Sequence, residues 1–346
     1  MYMKKVMSMM LAVLILTGIL VGCAQKAESN PGEQAPKAPE TADSVQGHYP
    51  VTVQNFGMSA TYEAAPERVV VLSYSQAEIM AALGIEDKIV ALTPSMNRIE
   101  EVVEKYRETV AGLPVFDSTR LSQYGVPNLE VVLSQSPDFV WGTSYNFRAA
   151  NCGEPGDYKA NNINIYASEG TVVDQPTLEN VYNDITNIGI IFNIEDRAAA
   201  LVEELRSREN AVKKAVAGLE EVLVFTLDDI GEGVYYTTGG ATLEDYLIAT
   251  AGGRNIFSEL MTQYPEVSAE EIIMRNPQHV VVTSYFTSGD GQAKQDAIKN
   301  SADFIKVTAV TEDNFLILSG LMVWPGLQSL DGLEAIAKTL HPEAFQ

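Results

Sequence analysis

The sequence predicts an α/β protein with two similar lobes, each built on a mostly parallel sheet, joined by a single long backbone helix. Three observations lead to this fold class. Strand-like apolar runs alternate with helical segments on both sides of residues 195–219. Residues 195–219 form the longest uninterrupted helical pattern of the chain, and one stretch of the first half aligns without gaps with one stretch of the second. The 346 residues are enough for two domains of ordinary size.

The long helix is predicted from apolar residues that recur at i, i+3, i+4 and i+7 within residues 195–219. Two i,i+4 pairs, Glu204 with Arg208 and Glu209 with Lys213, place the acid before the base and favour the helix. At a rise of roughly 1.5 Å per residue, the helix would be about 35 Å long. That length is sufficient to brace two lobes.

The two halves show the same order of elements. In the first half we predict a hairpin within 49–62, strands in 66–73, 89–92 and 138–142, and helices over 76–83 and from 129 onward. In the second half we predict strands over 222–227, 280–283 and 315–318, and helices over 242–250 and 332–340. Residues 145–171, rich in Asn, Gly and aromatic residues, are expected to form a long irregular insertion.

The internal repeat pairs residues 128–140 with residues 268–280. Each copy begins with a good N-cap residue, Asn128 or Ser268, continues as a short helix, and turns at a proline into a strand. Glu130 and Glu270 occupy the same helical position in the two copies. A carboxylate there also gains from the helix dipole, so helix-end stabilisation and a functional role are both open for this pair.

The N-terminus has the order of a secretory signal: Lys4 and Lys5, an apolar core over 6–21, and Cys23. The sequence Leu20-Val-Gly-Cys23 resembles the lipobox of bacterial lipoproteins, in which cleavage leaves the cysteine as a lipidated N-terminus. Residues 24–46 contain three prolines and no aromatic residue, which is typical of a flexible tether. The predicted division is a signal peptide over 1–22, the lipidated cysteine and tether over 23–47, an N-terminal lobe over 48–190, the bridging helix over 191–219 and a C-terminal lobe over 220–346.

Composition excludes several classes of function. The net charge of −23 makes a nucleic-acid partner improbable, because phosphates would be repelled. The three histidines lie in separate regions, which argues against a site for a bare metal ion. The sequence contains no GxxxxGK, GxSxG or HExxH motif, so nothing indicates an enzyme. Cys152, the second cysteine, is expected to be an inert thiol.

Four stretches in this order carry a resemblance to a known family: PERVVVLSYSQAEIMAALGIEDKIVAL, PNLEVVLSQSPDFVWG, GGATLEDYLIATAGGRNIF and VSAEEIIMRNPQHVVVTS. Together they resemble the substrate-binding lipoproteins of ABC importers for iron complexes and cobalamin. The resemblance implies two lobes bridged by one rigid helix, a ligand in the cleft between them, no cofactor, and an extracytoplasmic location on the outer face of the cell membrane. It also implies a permease and its ATPase as partners, with Glu130 and Glu270 docking to permease arginines.

Ligand-binding residues are expected just after the strands, because ligands of open α/β sheets lie outside the carboxyl ends of the strands. The candidates share an aromatic or cationic side chain at such positions: Tyr74, Arg98, Tyr145, Arg148, Tyr235, Tyr285 and Trp324. Aromatic walls with a few cations suit a partly anionic chelate, so a ferric siderophore is the first expectation. Haem or a corrinoid is the alternative, since tyrosines are available as axial ligands and cobalamin needs mainly aromatic contact.

Overall fold

The polypeptide folds as alternating strands and helices. This computed structural model describes residues 47–285 and 289–346, so the predicted signal peptide, Cys23 and nearly all of the tether lie outside the described residues. The strands are β1 (Val51–Asn55), β2 (Met58–Tyr62), β3 (Val69–Val71), β4 (Ile89–Leu92), β5 (Phe139–Gly142), β6 (Asn164–Ala167), β7 (Val222–Leu227), β8 (Asp229–Ile230), β9 (Tyr235–Tyr236), β10 (Gly253–Asn255), β11 (Glu266–Val267), β12 (His279–Ser284) and β13 (Phe315–Ser319).

Helices connect most of these strands. They are α1 (Tyr74–Leu83), α2 (Glu104–Ala111), α3 (Leu129–Leu133), α4 (Pro155–Ala160), α5 (Leu178–Ile191), α6 (Glu195–Val216), α7 (Leu243–Thr250), α8 (Ala269–Arg275), α9 (Asp290–Asn300), α10 (Thr308–Thr311), α11 (Gly320–Val323) and α12 (Ser329–Leu340). Short 3₁₀ helices cover Glu86–Lys88, Ile99–Glu101, Ser118–Arg120, Glu169–Thr171, Ala302–Phe304 and Pro342–Phe345. Gly47–Gln346 form one compact unit, so a chain that begins at Ala24 retains all of it.

Each half contains one four-stranded parallel sheet, which confirms the predicted fold class. The order is β4-β3-β5-β6 in the first half and β10-β7-β12-β13 in the second. The central strand β3 is Val-Val-Val and is fully buried, because helices cover both faces of a parallel sheet. Strands β1 and β2 form the predicted antiparallel hairpin, and β11-β9-β8 form a small antiparallel sheet beside the second lobe.

The long helix α6 lies against both halves. It packs on α1 and α5 of the first half and on α12 of the second. Glu209, near its middle, accepts hydrogen bonds from Tyr182 of α5 at 2.8 Å and from Tyr246 of α7 at 2.6 Å. The predicted pair of Glu209 with Lys213 is present at 2.7 Å. One side chain of the bridging helix therefore holds helices from both lobes.

The predicted pair of Glu204 with Arg208 is wrong. Arg208 instead binds two carboxylates of α12, with Nε 2.8 Å from Glu334 and the guanidinium also paired with Asp331. The physical reason is that α12 offers two acids to a half-buried guanidinium, whereas Glu204 faces solvent. The pairing ties the bridging helix to the second lobe.

Both copies of the internal repeat have the predicted local structure. The side chain of Asn128 accepts a hydrogen bond from the backbone N–H of Val131 at 2.9 Å and begins α3. Ser268 and Glu271 form a reciprocal capping box that begins α8. Each helix leads into an inner strand of its sheet, β5 or β12. The two copies of the repeat therefore occupy equivalent positions in the two lobes.

The prediction of an irregular insertion over residues 145–171 is wrong. The segment contains helix α4 and strand β6, and β6 is the edge strand of the first sheet. Pro155 at the first helical turn, between Glu154 and Asp157 of a capping box, begins α4. These start signals are local and short, and the Asn and Gly residues around them obscure the pattern. Cys152 in this segment is fully buried, and burial raises the pKa of its thiol to about 12, in agreement with an inert thiol.

Gly332 lies inside α12, where alanine would ordinarily stabilise a helix by about 0.5–1 kcal/mol. A Cβ atom at this position would lie 2.1 Å from the backbone oxygen of Met322, which cannot move freely. We therefore expect Gly332→Ala to lower the free energy of unfolding by about 1–3 kcal/mol, measured by urea denaturation.

Gly156 provides the matched control for this substitution. It lies in α4, and a Cβ atom there meets nothing within 4 Å. Gly156→Ala is expected to leave stability unchanged or raise it by up to about 1 kcal/mol. Equal stability of Gly332→Ala and the parent chain would contradict the close backbone packing between α11 and α12.

Candidate ligand-binding cleft

The candidate site is a cleft between the two lobes at the carboxyl ends of their parallel strands. Tyr145 follows β5, Tyr285 follows β12, and Trp324 follows β13 through the short helix α11. The cleft is narrow in this structure, with a volume of about 30 Å³, so a bulky ligand requires its walls to move apart. Its position agrees with the rule that open α/β sheets bind ligands beyond their carboxyl edges.

Aromatic side chains form the walls, with Trp324 at their centre. The indole ring lies with its centroid 6.3 Å from that of Tyr145 and 6.4 Å from that of Tyr285. The hydroxyl of Tyr145 donates a hydrogen bond to Gln263 Oε1 at 2.7 Å, and the indole N–H donates to the hydroxyl of Tyr264. Since Tyr145 belongs to the first lobe and Gln263 to the second, this bond crosses the cleft.

A smaller cavity of about 20 Å³ adjoins the cleft behind Tyr285 and Trp324. The first lobe contributes Ser73 and Asn97 to it, both of which follow strands of that lobe. The two aromatic rings therefore divide the interlobe space into two parts.

The second lobe places acidic side chains at the cleft. Glu244, in the first turn of α7, lines the cavity and is 2 % exposed. Burial, and then the negative charge of Asp228, raises the pKa of Glu244 to about 8. Asp228 lies behind the wall, where its Oδ1 accepts a hydrogen bond from the hydroxyl of Tyr285 at 2.8 Å. Burial also raises the pKa of Asp228, partly offset by that hydrogen bond and by Lys294.

Three of the predicted ligand residues, Tyr145, Tyr285 and Trp324, line the cleft. Arg148 is exposed at the rim, with its guanidinium 5.0 Å above the ring of Tyr145. This is a cation–π arrangement. The structure brings these four residues together, and their role in binding a ligand remains a prediction.

The other three predicted ligand residues lie elsewhere. Tyr74 is 6 % exposed and packs in the core of the first lobe, because it is the first residue of α1 and turns inward. Tyr235 packs on Phe304 with ring centroids 5.3 Å apart, since β9 belongs to the small antiparallel sheet. Arg98 forms an ion pair with Glu101 at 2.6 Å and does not line either cavity. A position just after a strand is therefore not sufficient to identify a residue that lines the cleft.

Sequence reasoning missed six polar residues of the cleft: Thr171, Thr238, Thr242, Glu244, Gln263 and Tyr264. Gln263 and Tyr264 lie between β10 and β11, in a stretch without periodicity. Glu244 lies in the helix start Thr242-Leu-Glu-Asp, where an acid is also explained by ordinary helix-end chemistry. The available signal was that this helix start carries two acids, of which Asp245 donates its backbone N–H to the hydroxyl oxygen of the N-cap residue Thr242.

Glu130 and Glu270 are exposed on α3 and α8, and neither forms an ion pair within residues 47–285 and 289–346. Over the same residues, no group of three or more His, Cys, Asp or Glu side chains is arranged to hold a metal ion. No helix in the described part of the chain is long and apolar enough to cross a membrane.

Two parallel-sheet lobes, one bridging helix and an aromatic cleft between the lobes define a class of protein, the extracytoplasmic solute-binding proteins with a helical backbone. The family model described as periplasmic binding protein matches residues 69–320, and the chain belongs to this family. It is therefore a solute-binding protein of the ABC importer type and not an enzyme. Proteins of this class work with a permease and an ATPase.

Comparison with individual proteins supports this assignment. The chain is 26 % identical over 349 residues to an uncharacterised ABC transporter substrate-binding lipoprotein, YvrC of Bacillus subtilis (strain 168), covering 99 % of this chain and 100 % of the relative. It is 29 % identical over 220 residues to the vitamin B12-binding protein of Yersinia pestis (strain Pestoides F), covering 63 % of this chain and 70 % of the relative. A solved structure, described as an ABC-type Fe3+-hydroxamate transport system from Saccharomonospora viridis DSM 43017, is 28 % identical with a TM-score of 0.72, covering 84 % of this chain and 99 % of that one.

Proposed function

We propose that this protein captures a ferric siderophore of the hydroxamate class in the interlobe cleft and delivers it to an ABC permease. The observation that carries the proposal is an aromatic wall, formed by Tyr145, Tyr285 and Trp324, above the buried carboxyl of Glu244. Aromatic rings supply apolar contact area to a bulky chelate at a small cost in side-chain entropy.

Charge favours hydroxamates over other iron chelates. Three hydroxamates neutralise Fe³⁺, whereas three catecholates leave a strong excess of negative charge. Such an anion would lie near the acids Glu244 and Asp228 with no cation among the residues that line the cavity, and Arg148 at the rim is too exposed to offset its charge. The partly anionic chelate expected from the sequence therefore fits the cleft less well than an uncharged or cationic one. The Fe3+-hydroxamate description of the structural relative points to the same class.

A corrinoid is the second candidate. The relatives named as vitamin B12-binding proteins and the aromatic character of the cleft favour it, because a corrinoid relies mainly on apolar and aromatic contacts. Haem is less well supported. Its carboxylates would approach Glu244, and the hydroxyl of Tyr285, a possible axial ligand, already binds Asp228.

We further propose that the mature protein is held at the outer face of the cell membrane by a lipid on Cys23, with residues 24–46 as a tether. The resemblance of the leader to a lipobox and the lipoprotein name of YvrC support this. Incorporation of labelled palmitate into the wild-type chain, lost in Cys23→Ser, is the expected result in cells that express it.

The ligand class is tested by calorimetric titration of the soluble chain from Ala24 onward. The ligands are a ferric tris-hydroxamate, a ferric tris-catecholate, haem and cyanocobalamin. We expect saturable binding of the tris-hydroxamate with a Kd of about 1 μM or lower, equivalent to about 8 kcal/mol, and much weaker binding of the tris-catecholate. Binding of cobalamin alone would contradict the siderophore proposal and favour a corrinoid as the ligand. Binding of the tris-catecholate alone would contradict the charge argument.

A further inference from the structure

The side chain of Glu244 is buried at the cleft and incompletely satisfied. The residue is 2 % exposed and lines the cavity, and it interacts with the hydroxyl of Thr238. Its Oε1 has no hydrogen-bond partner within the described residues. A buried polar atom without a partner costs on the order of 1–3 kcal/mol, which a bound donor would relieve.

Glu86, Glu101 and Glu169 also have a buried oxygen without a hydrogen bond, but they do not line this cleft, and the buried acids Asp184 and Glu209 do not share the feature. Asp184 accepts hydrogen bonds from the hydroxyl of Tyr166 at 2.8 Å and from the backbone N–H of Glu169 at 2.9 Å. Glu209 is bound by two tyrosine hydroxyls and by Lys213. These acids have structural partners, whereas Glu244 keeps one oxygen available at the ligand cavity. This difference favours a ligand contact for Glu244 and a packing role for Asp184 and Glu209.

The groups that surround Glu244 are acidic or neutral. Its own helix contributes Asp245, and the loop after β7 contributes Asp228. The hydroxyl groups of Tyr264 and Tyr285 face it from the loops before β11 and after β12. Lys294 of α9, the cation beside Asp228, donates to the backbone oxygens of Asp228 and Thr283 and pairs with Asp290 at 3.0 Å. No ion pair to Glu244 exists within residues 47–285 and 289–346.

We propose that Glu244 is a specificity-determining residue that accepts a hydrogen bond from a cationic ammonium group on the chelate. This inference rests on the proposed function and narrows it to ferric hydroxamates that carry a protonated amine. An ammonium group would supply both the missing donor at Oε1 and the positive charge that the surroundings of Asp228 and Glu244 lack. An anionic or purely apolar end group would supply neither.

The protonation of Glu244 gives the inference a second signature. Because burial raises the pKa of this carboxyl to about 8, it carries a proton at neutral pH in the unliganded protein. An ammonium group stabilises the ionised carboxylate, so binding below pH 8 must release a proton. The affinity for an ammonium-bearing chelate therefore rises from pH 6 to pH 8 and levels off above that value. An N-acetylated chelate does not favour the ionised form, and its affinity does not rise with pH.

The test uses a matched pair of ferric tris-hydroxamates, one with a terminal primary ammonium and one in which that amine is acetylated. Titration of the wild-type chain from Ala24 onward at pH 8.5 is expected to show a preference for the ammonium form of about ten- to hundredfold, the range of a hydrogen bond to a charged group. Glu244→Gln keeps the size of the side chain and is expected to lose this preference. Asp245→Asn, which alters the neighbouring acid outside the cavity, is the control and is expected to keep it.

The outcomes separate this inference from the function on which it rests. Equal affinity of the wild-type protein for the two chelates, or a preference that persists in Glu244→Gln, would overturn the role of Glu244 and leave the siderophore proposal intact. Binding of neither chelate would overturn both. If Glu244→Gln does not fold, the wild-type pH profiles decide: a rise with pH for the ammonium form alone supports the inference, and parallel profiles overturn it.

Discussion

Replacement of Glu130 and Glu270 together by alanine is expected to abolish ligand uptake by cells while leaving ligand affinity unchanged. Both carboxylates are exposed at the start of equivalent helices, α3 and α8, and neither has an internal partner among the described residues. The family resemblance assigns such a pair to contacts with permease arginines. Without charge complementarity at both contacts, the protein would no longer be oriented on the permease, and the two proteins would meet more slowly. Uptake of the labelled chelate and calorimetric affinity are the two measurements.

The matched control is Glu108→Ala with Glu203→Ala. These acids are also exposed, lie on α2 and α6, and form no ion pair within residues 47–285 and 289–346. The control removes the same net charge and is expected to retain transport. Normal transport by the Glu130 and Glu270 double variant would contradict the docking role, and a strong loss of its ligand affinity would contradict the separation of docking from binding.

Trp324→Ala is expected to lower ligand affinity by about 2–4 kcal/mol, or roughly 30- to 1000-fold in Kd. The indole, like the ring of Tyr285, lines both interlobe cavities, and it packs on Tyr145 and Tyr285 from opposite lobes. Its removal deletes the largest apolar contact and the donor to Tyr264. Trp324→Phe keeps a ring and is expected to retain part of the affinity. Calorimetric titration of both variants measures the effect.

Tyr235→Phe serves as the control for this series. Tyr235 was predicted to bind the ligand, but its ring packs on Phe304 away from the cleft. Unchanged affinity is expected for this variant. An equal loss of affinity in the Trp324 and Tyr235 variants would indicate that the ligand lies outside the interlobe cleft.

Much of the fold was predictable from periodicity and end signals. The helix α6 begins at Glu195 as predicted, and β4 and β7 have the predicted bounds. Strands of a parallel sheet buried on both faces show as apolar runs, and the long helix shows as an amphipathic stripe. Segment α4-β6 was missed because its helix is six residues long and its strand four, too short for either period to repeat.

The site was only partly predictable. Tyr145 and Trp324 meet across the cleft through the packing of two lobes, which no local pattern encodes. Tyr74 follows a strand, as a ligand residue would, but the rotation of α1 turns it into the core. Glu244 has the same sequence signal as any acid in a first helical turn, and its burial distinguishes it. Tertiary packing, and not residue type, separates ligand-facing side chains from core side chains.

The most direct test of the cleft is a crystal structure of the protein with a bound ferric tris-hydroxamate. We predict that the chelate lies between the lobes, with its atoms within about 4 Å of Tyr145, Tyr285 and Trp324, the distance of van der Waals contact. Density for the chelate at another surface, such as the crevice between the β1–β2 hairpin and α4, with the interlobe cleft unoccupied would contradict the account.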